Sequence, residues 1–386
     1  MTKNSITLKP SYPTLSKGCS VINFNSTSPQ QLIATRPSDT YITHTAAEFD
    51  AIKPTIQNRL RDGQMFVVAT SYEWGLAQLG LPTTSAPAIF MAYDSYEFRE
   101  LAPVAPSTLS IDFQRSPIWS EEAFASAIKR AQTAIKEGDI YQINLSYPST
   151  ITGNVTISEL FEFMMAEHAP HHGAYIHAGP WQIASCSPEE FFYYENQTIR
   201  TRPIKGTIGR DANPIRDQLA YDTLKSSIKD QAELTMITDL MRNDLSRIAE
   251  PRSVHTPRMC DIVPFNYVYH LESTVEAKPK PDLTPLDMLQ QLAPGGSITG
   301  CPKHSACHHI QAIEAGPREF YTGHIGFMHG TKQAAFNVAI RTCYQFNDGP
   351  IMTHSGCGIT IDSDPAQEFI ESCDKLNFLK AAVHAH

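Results

Sequence analysis

Tyr141-Gln-Ile-Asn-Leu-Ser-Tyr147 sets Tyr141, Ile143, Leu145 and Tyr147 against Gln142, Asn144 and Ser146, an apolar and a polar face at a period of two. Side chains of a strand alternate between faces, so this stretch reads as a strand in a sheet with one packed side. Just upstream, Phe124, Ile128, Ala131 and Ile135 recur at helical spacing within residues 121–137, and Gly138 stands where a helix end favours a left-handed residue. Outward from there the pattern predicts a helix near 157–167, strands at 173–178 and 181–186, and a hairpin turning near Glu195 and Asn196. One long helix is expected over 225–248, then a strand over 262–277 on which His270, Glu272 and Thr274 share a face. Helices follow at 284–292 and 303–315, and strands at 321–329, 333–342 and 350–357. Asp364, Pro365 and Gln367 make a helix start, and that helix is expected to run to about residue 382. Toward the N-terminus, residues 65–69 and 88–93 read as strands and the Pro-containing 101–107 as a connection. Strands and helices mix without strict βαβ alternation or a short repeat, which predicts a large α/β or α+β fold with mostly antiparallel sheets.

The 386 residues are 41% apolar and 18% charged, the balance of a folded chain with a substantial core. A net charge of -9 argues against nucleic acid as a partner, since phosphate backbones call for a basic surface. Residues 1–10 hold no apolar segment, and no eighteen apolar residues run together, so neither a leader nor a membrane partner is expected and the chain reads as cytoplasmic. The eight cysteines include no CxxC pair and read as buried reduced thiols.

Two acidic pairs carry helical spacing of three, Asp230 with Glu233 and Glu368 with Glu371. Each pair therefore shares a helix face, and if the helices meet, their oxygens converge as a hard divalent cation requires. Most helix carboxylates are solvated instead, but Glu233 adjoins the stripe of Ile237, Leu240, Met241 and Asp244, where a carboxylate needs a partner. Cys301-Pro-Lys-His304-Ser-Ala-Cys307-His308-His309 lacks the second half of a zinc site, and Pro302 reads there as a helix start with Cys307 packed inward. No GxSxG elbow, P-loop or GxGxxG opening occurs. Gly356-Cys357-Gly358 after a strand would let backbone amides approach an anion. Lys205, between Pro203 and Gly206, is either a solvated loop residue or a placed amine.

Taken in order, Gly138-Asp-Ile-Tyr-Gln-Ile-Asn-Leu-Ser146, Ser187-Pro-Glu-Glu-Phe-Phe192, Pro203-Ile-Lys-Gly-Thr207, Asp239-Leu-Met-Arg-Asn-Asp-Leu245, His270-Leu-Glu-Ser273, Gly295-Gly-Ser-Ile-Thr-Gly-Cys-Pro-Lys303, Ala339-Ile-Arg-Thr342 and Gly356-Cys-Gly-Ile359 resemble the chorismate-utilising enzymes. The resemblance covers roughly residues 120–380. It implies an α+β fold of two large, mostly antiparallel sheets with helices outside, a catalytic core over 118–386, and an N-terminal part, 1–110, packed into the same unit. Within the family, a lysine at position 205 looks like aminodeoxychorismate synthase, whereas anthranilate synthases typically carry alanine there. The resemblance then implies that Lys205 is a nucleophile toward chorismate, that Glu189 is the general acid, and that His270 sits near the carbon losing its hydroxyl. It also implies Mg2+ on Glu233, Glu368 and Glu371 with Asp230 assisting. Arg341, Tyr321, Gly356, Cys357 and Gly358 would take a second carboxylate, Thr299 and Gly300 would line the ring pocket, and Lys375 would pair with Glu371 or substrate. The implied partners are chorismate, ammonia and a separate glutaminase subunit.

The chemistry sets two further expectations. A lysine amine acts as a nucleophile only when its proton is destabilised, and Arg202 and Arg210 are the nearby cations in sequence. A donating Glu189 must stay protonated, which the following Phe191 and Phe192 would favour. Gln142 stands where water-adding relatives carry a lysine, which speaks against that branch.

Overall fold

The computed structural model describes residues 15–25, 28–101, 112–115, 120–265 and 268–379. The connection read at 101–107 lies outside them beyond Leu101, as do residues 1–10 and the stretch 380–382.

Residues 65–70 show why two sheets form. Met65, Val67 and Ala69 point into one apolar cluster and Phe66 and Val68 into another. A strand buried on both faces reads as an unbroken apolar run, so this one has a packed layer on either side. One sheet runs Gly300–Cys301, Gln142–Thr152, Ile351–Ile359, Thr342–Phe346, Trp181–Ser187, His172–Ala178, Ser20–Asn25, Pro29–Ala34, Tyr96–Glu100, with Asp112–Arg115 also paired to Gln142–Thr152. The other runs Ile204–Gly209, Val268–Ala277, Thr198–Arg202, Glu190–Glu195, Gln333–Val338, His324–His329, Met65–Thr70, Ala88–Tyr93, Asp39–Thr43, with His255–Pro264 also paired to Val268–Ala277. Neighbouring strands pair antiparallel throughout, for example Ile351–Ile359 with Gln142–Thr152 and Ile204–Gly209 with Val268–Ala277. Between the sheets Ile22, Phe24, Leu32 and Ile183 meet Val67, Ile89, Tyr193 and Phe327. Helices cover the outside: Ile157–His168 packs Leu160, Phe161 and Met164 over one sheet, and Ile228–Ile248 with Pro285–Leu292 lies over the other. The helices at Glu121–Glu137, Ile157–His168, Pro285–Leu292 and Lys303–Ile313 fall where the pattern put them. No described helix is long and apolar enough to cross a membrane, and all eight cysteines are free thiols.

Four expectations are corrected. The helix over 225–248 is two helices, Pro214–Ser226 and Ile228–Ile248, divided at Ser227, whose extended ψ of 99° ends one while its hydroxyl caps the other. The strand over 262–277 is the hairpin His255–Pro264 and Val268–Ala277. The strand over 333–342 stops at Val338, because the chain turns through Arg341 at φ 50° before resuming at Thr342. In the last helix Asp364 does cap Gln367, but the α-helix ends at Asp374 and passes into a 3-10 turn over Lys375–Leu379.

Candidate active site

Lys205 owes its direction to one irregular residue. Lys205 pairs with Leu271 and Thr207 with the next residue back, His270, so Gly206 is an extra residue bulged out of the ladder. Its φ of 74° is the left-handed region, and a Cβ there would lie 2.9 Å from Cγ of Asp230. Only glycine meets both demands at little cost. The bulge turns Lys205 into a cavity of about 540 Å3 lined also by Glu189, Thr207, Asp230, Glu233 and His270. The far wall comes from Ile351–Ile359, where Gly358 faces Asn144 and Gly356 faces Ser146. A Cβ on Gly358 would stand 3.6 Å from Lys205 Nζ, and one on Gly356 would collide with the Leu145 carbonyl at 2.2 Å. The two glycines thus keep a bare backbone wall next to the amine.

Glu189 enters the cavity from the turn before Glu190–Glu195, where its N–H donates to Ser187 Oγ at 3.2 Å and its carbonyl accepts from Val338 at 3.2 Å. Burial holds its carboxyl above the usual range, with the Ser297 hydroxyl and the Lys205 charge pulling back. His270 shares a 2.7 Å hydrogen bond between Nδ1 and Thr207 Oγ1, and burial pushes it down to about 4, so it is neutral near pH 7. Tyr321 stacks on His354 at 5.1 Å and 11°, and burial raises its hydroxyl to about 12.

Arg341 and Lys375 are the other cations. Burial lowers Arg341 from its ordinary value, and among the described residues its guanidinium has no ion pair or hydrogen bond. A half-buried guanidinium left bare in a cavity wall is a receptor for an anion. Lys375 is already engaged, donating to the Gly356 carbonyl at 3.0 Å and pairing with Glu371 at 2.8 Å.

The acidic side is made by two helices. Asp230 and Glu233 lie on the first turns of Ile228–Ile248, Glu368 and Glu371 on Pro365–Asp374, and all four line the cavity. Burial raises Glu233, with Lys205 and Lys229 opposing and Asp230 and Glu371 reinforcing. Donor atoms of Glu368, Glu371 and Cys357 lie within 4.8 Å of one another. Of these the thiol is the poor donor: burial pushes Cys357 up to about 12 and its Sγ points at the Glu368 carbonyl, 3.2 Å away. What remains is an all-oxygen set with neighbouring carboxylates in need of a counter-charge, which suits a hard divalent cation and not a soft one. Asp230 is tied back by the Ser227 hydroxyl at 2.5 Å and abuts Gly206.

Several expected positions fall elsewhere. Thr299 and Gly300 do not line the cavity: the Thr299 hydroxyl folds onto the Gly295 carbonyl at 2.8 Å, and Ser297 and Ile298 occupy that part of the wall. Cys357 alternates to the opposite face from Gly356 and Gly358 and is fully buried. Arg202 and Arg210 are outside the lining as well, paired with Glu272 at 3.9 Å and Asp217 at 3.1 Å. Conversely Asn144, Ser297, His354 and Ser355 line it without having been singled out. Asn144 and His354 were within reach of period-two alternation, from Gln142 and Gly356 respectively.

Residues 83–381 match the family model of the chorismate binding enzymes. Aminodeoxychorismate synthase component 1 of Klebsiella aerogenes is 36% identical over 278 residues, 72% of this chain and 61% of that protein. Anthranilate synthase component 1 1 of Halobacterium salinarum is 30% identical over 282 residues, 72% of this chain and 54% of that protein. The chain thus spans between about a half and three fifths of the length of these curated relatives. In fold it is similar to a putative 2,3-dihydroxybenzoate-specific isochorismate synthase from Bacillus anthracis (TM-score 0.77, 19% identity, 96% of each chain). It is likewise similar to anthranilate synthase component I from Streptococcus pneumoniae (TM-score 0.73, 22% identity, 98% of this chain and 95% of that one). With two antiparallel sheets around a cavity that sets amine, guanidinium and paired carboxylates face to face, and with this match over most of its length, the chain belongs to the chorismate binding enzymes.

Proposed function

We propose that the chain aminates chorismate at carbon 4, giving 4-amino-4-deoxychorismate, with ammonia delivered by a separate glutaminase subunit. The observation that carries this reading is Lys205: its amine lines the cavity beside Gly358 with no hydrogen bond or ion pair to any described residue, and buried Glu189 lines the same space. A bond forms between Lys205 Nζ and ring carbon 2 while the C4–O bond breaks, and the proton held by Glu189 leaves with the hydroxyl as water. Ammonia then bonds to carbon 4 as the bond to Lys205 breaks, the surplus proton returns to Glu189, and the enolpyruvyl group stays. Hydroxide is a poor leaving group, so a carboxyl whose hold on its proton is strengthened by burial is what this step asks for. His270, neutral near pH 7, contributes a hydrogen bond near carbon 4 and no charge.

Glu233, Glu368 and Glu371 would hold Mg2+, with Asp230, shorter and tied to Ser227, assisting through water. Bound there, the ion supplies positive charge for the ring carboxylate. Arg341, Tyr321 and the backbone at Gly356 and Gly358 take the enolpyruvyl carboxylate.

Amination at carbon 2 to anthranilate is the second reading, because relatives carrying that activity in their names match the same span. Purified protein incubated with chorismate, Mg2+ and an ammonium salt, which bypasses the glutaminase, separates them by mass spectrometry. Aminodeoxychorismate is expected. Anthranilate or salicylate would sink the lysine argument, and unchanged chorismate would leave a binding subunit. Lys205→Ala is expected to lower formation of aminodeoxychorismate by at least about 1,000-fold while chorismate still binds by calorimetry. Wild-type turnover in that variant would rule out the covalent step.

A further inference from the structure

Behind the cavity wall, and outside its lining, Arg318 is 1% exposed and engages all five of its N–H donors. Nε and Nη2 hold the two oxygens of Glu314 at 2.9 and 2.7 Å. The rest reach three separate segments: Nη2 donates to the Asn144 carbonyl at 2.7 Å, and Nη1 to the Ile298 carbonyl at 3.0 Å and Thr322 Oγ1 at 3.3 Å. Asn144 and Ile298 line the cavity themselves, and Thr322 follows Tyr321, which does. Glu314 adds a fourth tie, accepting from the Ser146 N–H at 2.7 Å and its hydroxyl at 3.1 Å. From the other side the Tyr72 ring lies 4.5 Å from the guanidinium carbon, and Glu73 accepts the Arg318 backbone N–H at 2.8 Å.

We infer that Arg318 is a positioning residue, fixing the cavity wall at Asn144, Ile298 and Tyr321 relative to one another without itself meeting the substrate. Asn144 and the turn at Ile298 are also joined directly, the Asn144 N–H donating to the Thr299 carbonyl at 2.8 Å, whereas the stretch at Tyr321 and Thr322 is brought to both by the planar fork of Arg318, the one group that meets all three. The strand at Asn144 and Ser146 is also the one that holds Gly358 and Gly356 in register, so an error there is passed to the wall beside Lys205. A lysine keeps the charge toward Glu314 but offers three donors on a flexible stem, too few for five acceptor contacts and without the fork. The consequence for turnover rests on the chorismate reading above.

The test compares wild type with Arg318→Lys and the milder Thr322→Val by amide hydrogen exchange without substrate and by kinetics with chorismate and ammonium. Faster exchange is expected in residues 142–146, 296–299 and 321–323 of Arg318→Lys, with the remainder unchanged. Its kcat is expected to fall about 100-fold, because small misplacements of reacting groups are that costly, with KM for chorismate within about threefold since Arg341 and the carboxylates are untouched. Thr322→Val should show the same pattern, weaker and confined to 296–299 and 321–323. Unchanged exchange in these segments, or an increase spread evenly over the chain, would overturn the inference. So would a KM rise with kcat intact. If Arg318→Lys does not fold, Thr322→Val decides by the same criteria. If wild type leaves chorismate untouched, the amination reading falls, while the exchange arm still decides the role of Arg318.

Discussion

At Glu189 the environment does what the side chain alone would not. A carboxyl in water is ionised at neutral pH, but burial raises this one, and the opposing Lys205 and Ser297 do not cancel the rise. Glu189→Gln keeps shape and hydrogen bonding and loses only the proton to give. It is therefore expected to lower kcat by about 100- to 10,000-fold with chorismate affinity nearly unchanged, read by steady-state kinetics beside calorimetry. In wild type, kcat should fall as pH rises through the raised pKa of Glu189, since the acid form is then lost; a kcat that climbs through that range would assign the proton to another group. Lys205 and the two carboxylate pairs stood out in the sequence through a Pro and Gly flank and a spacing of three, whereas Glu189 and Arg341 were pointed to only by the family resemblance. Ser297 and Thr299 were not separable: both are small hydroxyl residues in one glycine-rich turn, and only the fold decides which one faces in.

At the scale of elements, the site depends on how Ile228–Ile248 begins. Ser227 caps it through its hydroxyl, accepting from the Asp230 N–H at 3.3 Å and donating to its carboxylate at 2.5 Å, and it also closes Pro214–Ser226. Ser227→Ala is expected to cost about 1 kcal/mol in denaturant unfolding, as losing an N-cap does, and to release Asp230 from its tether. A neutral result would mean that packing alone sets this helix start. The same junction explains a gap in what sequence could tell. Pro214–Ser226 buries only Leu224 while Ile215 and Leu219 face solvent, so it carries no apolar stripe to betray it, although Asn213 and Pro214 are a proper cap and first residue. The helices at Glu121–Glu137, Ile157–His168, Pro285–Leu292 and Lys303–Ile313 were placed within a residue or two. Strand ends were placed less well, since a turn such as that at Arg341 leaves the apolar pattern intact while bending the chain.

Across the whole molecule, buried histidines set the acid limit. Burial holds His324 and His354 at about 3 and His270 at about 4. Unfolding lets each return to about 6.5 and take up a proton the native state refuses, so stability falls as pH drops from about 6.5 to 3. Glu73 and Glu272, raised to about 7 by burial, hold a proton when folded and oppose this trend between about 4.5 and 7. The thermal midpoint should therefore peak near neutrality and decline most steeply below about pH 4.5, as calorimetry over pH 3–7 would show; a flat profile would mean these histidines are not buried neutral. Mostly antiparallel sheets were legible from alternating strands, and their number only from the family resemblance, but the entry of the N-terminal strands into both sheets was not, because pairing partners distant in sequence leave no local mark. Ser20–Asn25, Pro29–Ala34 and Tyr96–Glu100 complete one sheet, and Asp39–Thr43, Met65–Thr70 and Ala88–Tyr93 the other. Expressed as two separate polypeptides, residues 1–101 and 102–386 would each carry raw strand edges and an incomplete core, and each would be insoluble or scavenged alone. Brought together they should reassemble and regain turnover, which would make this joint a place to put catalysis under the control of two promoters or of an induced tether.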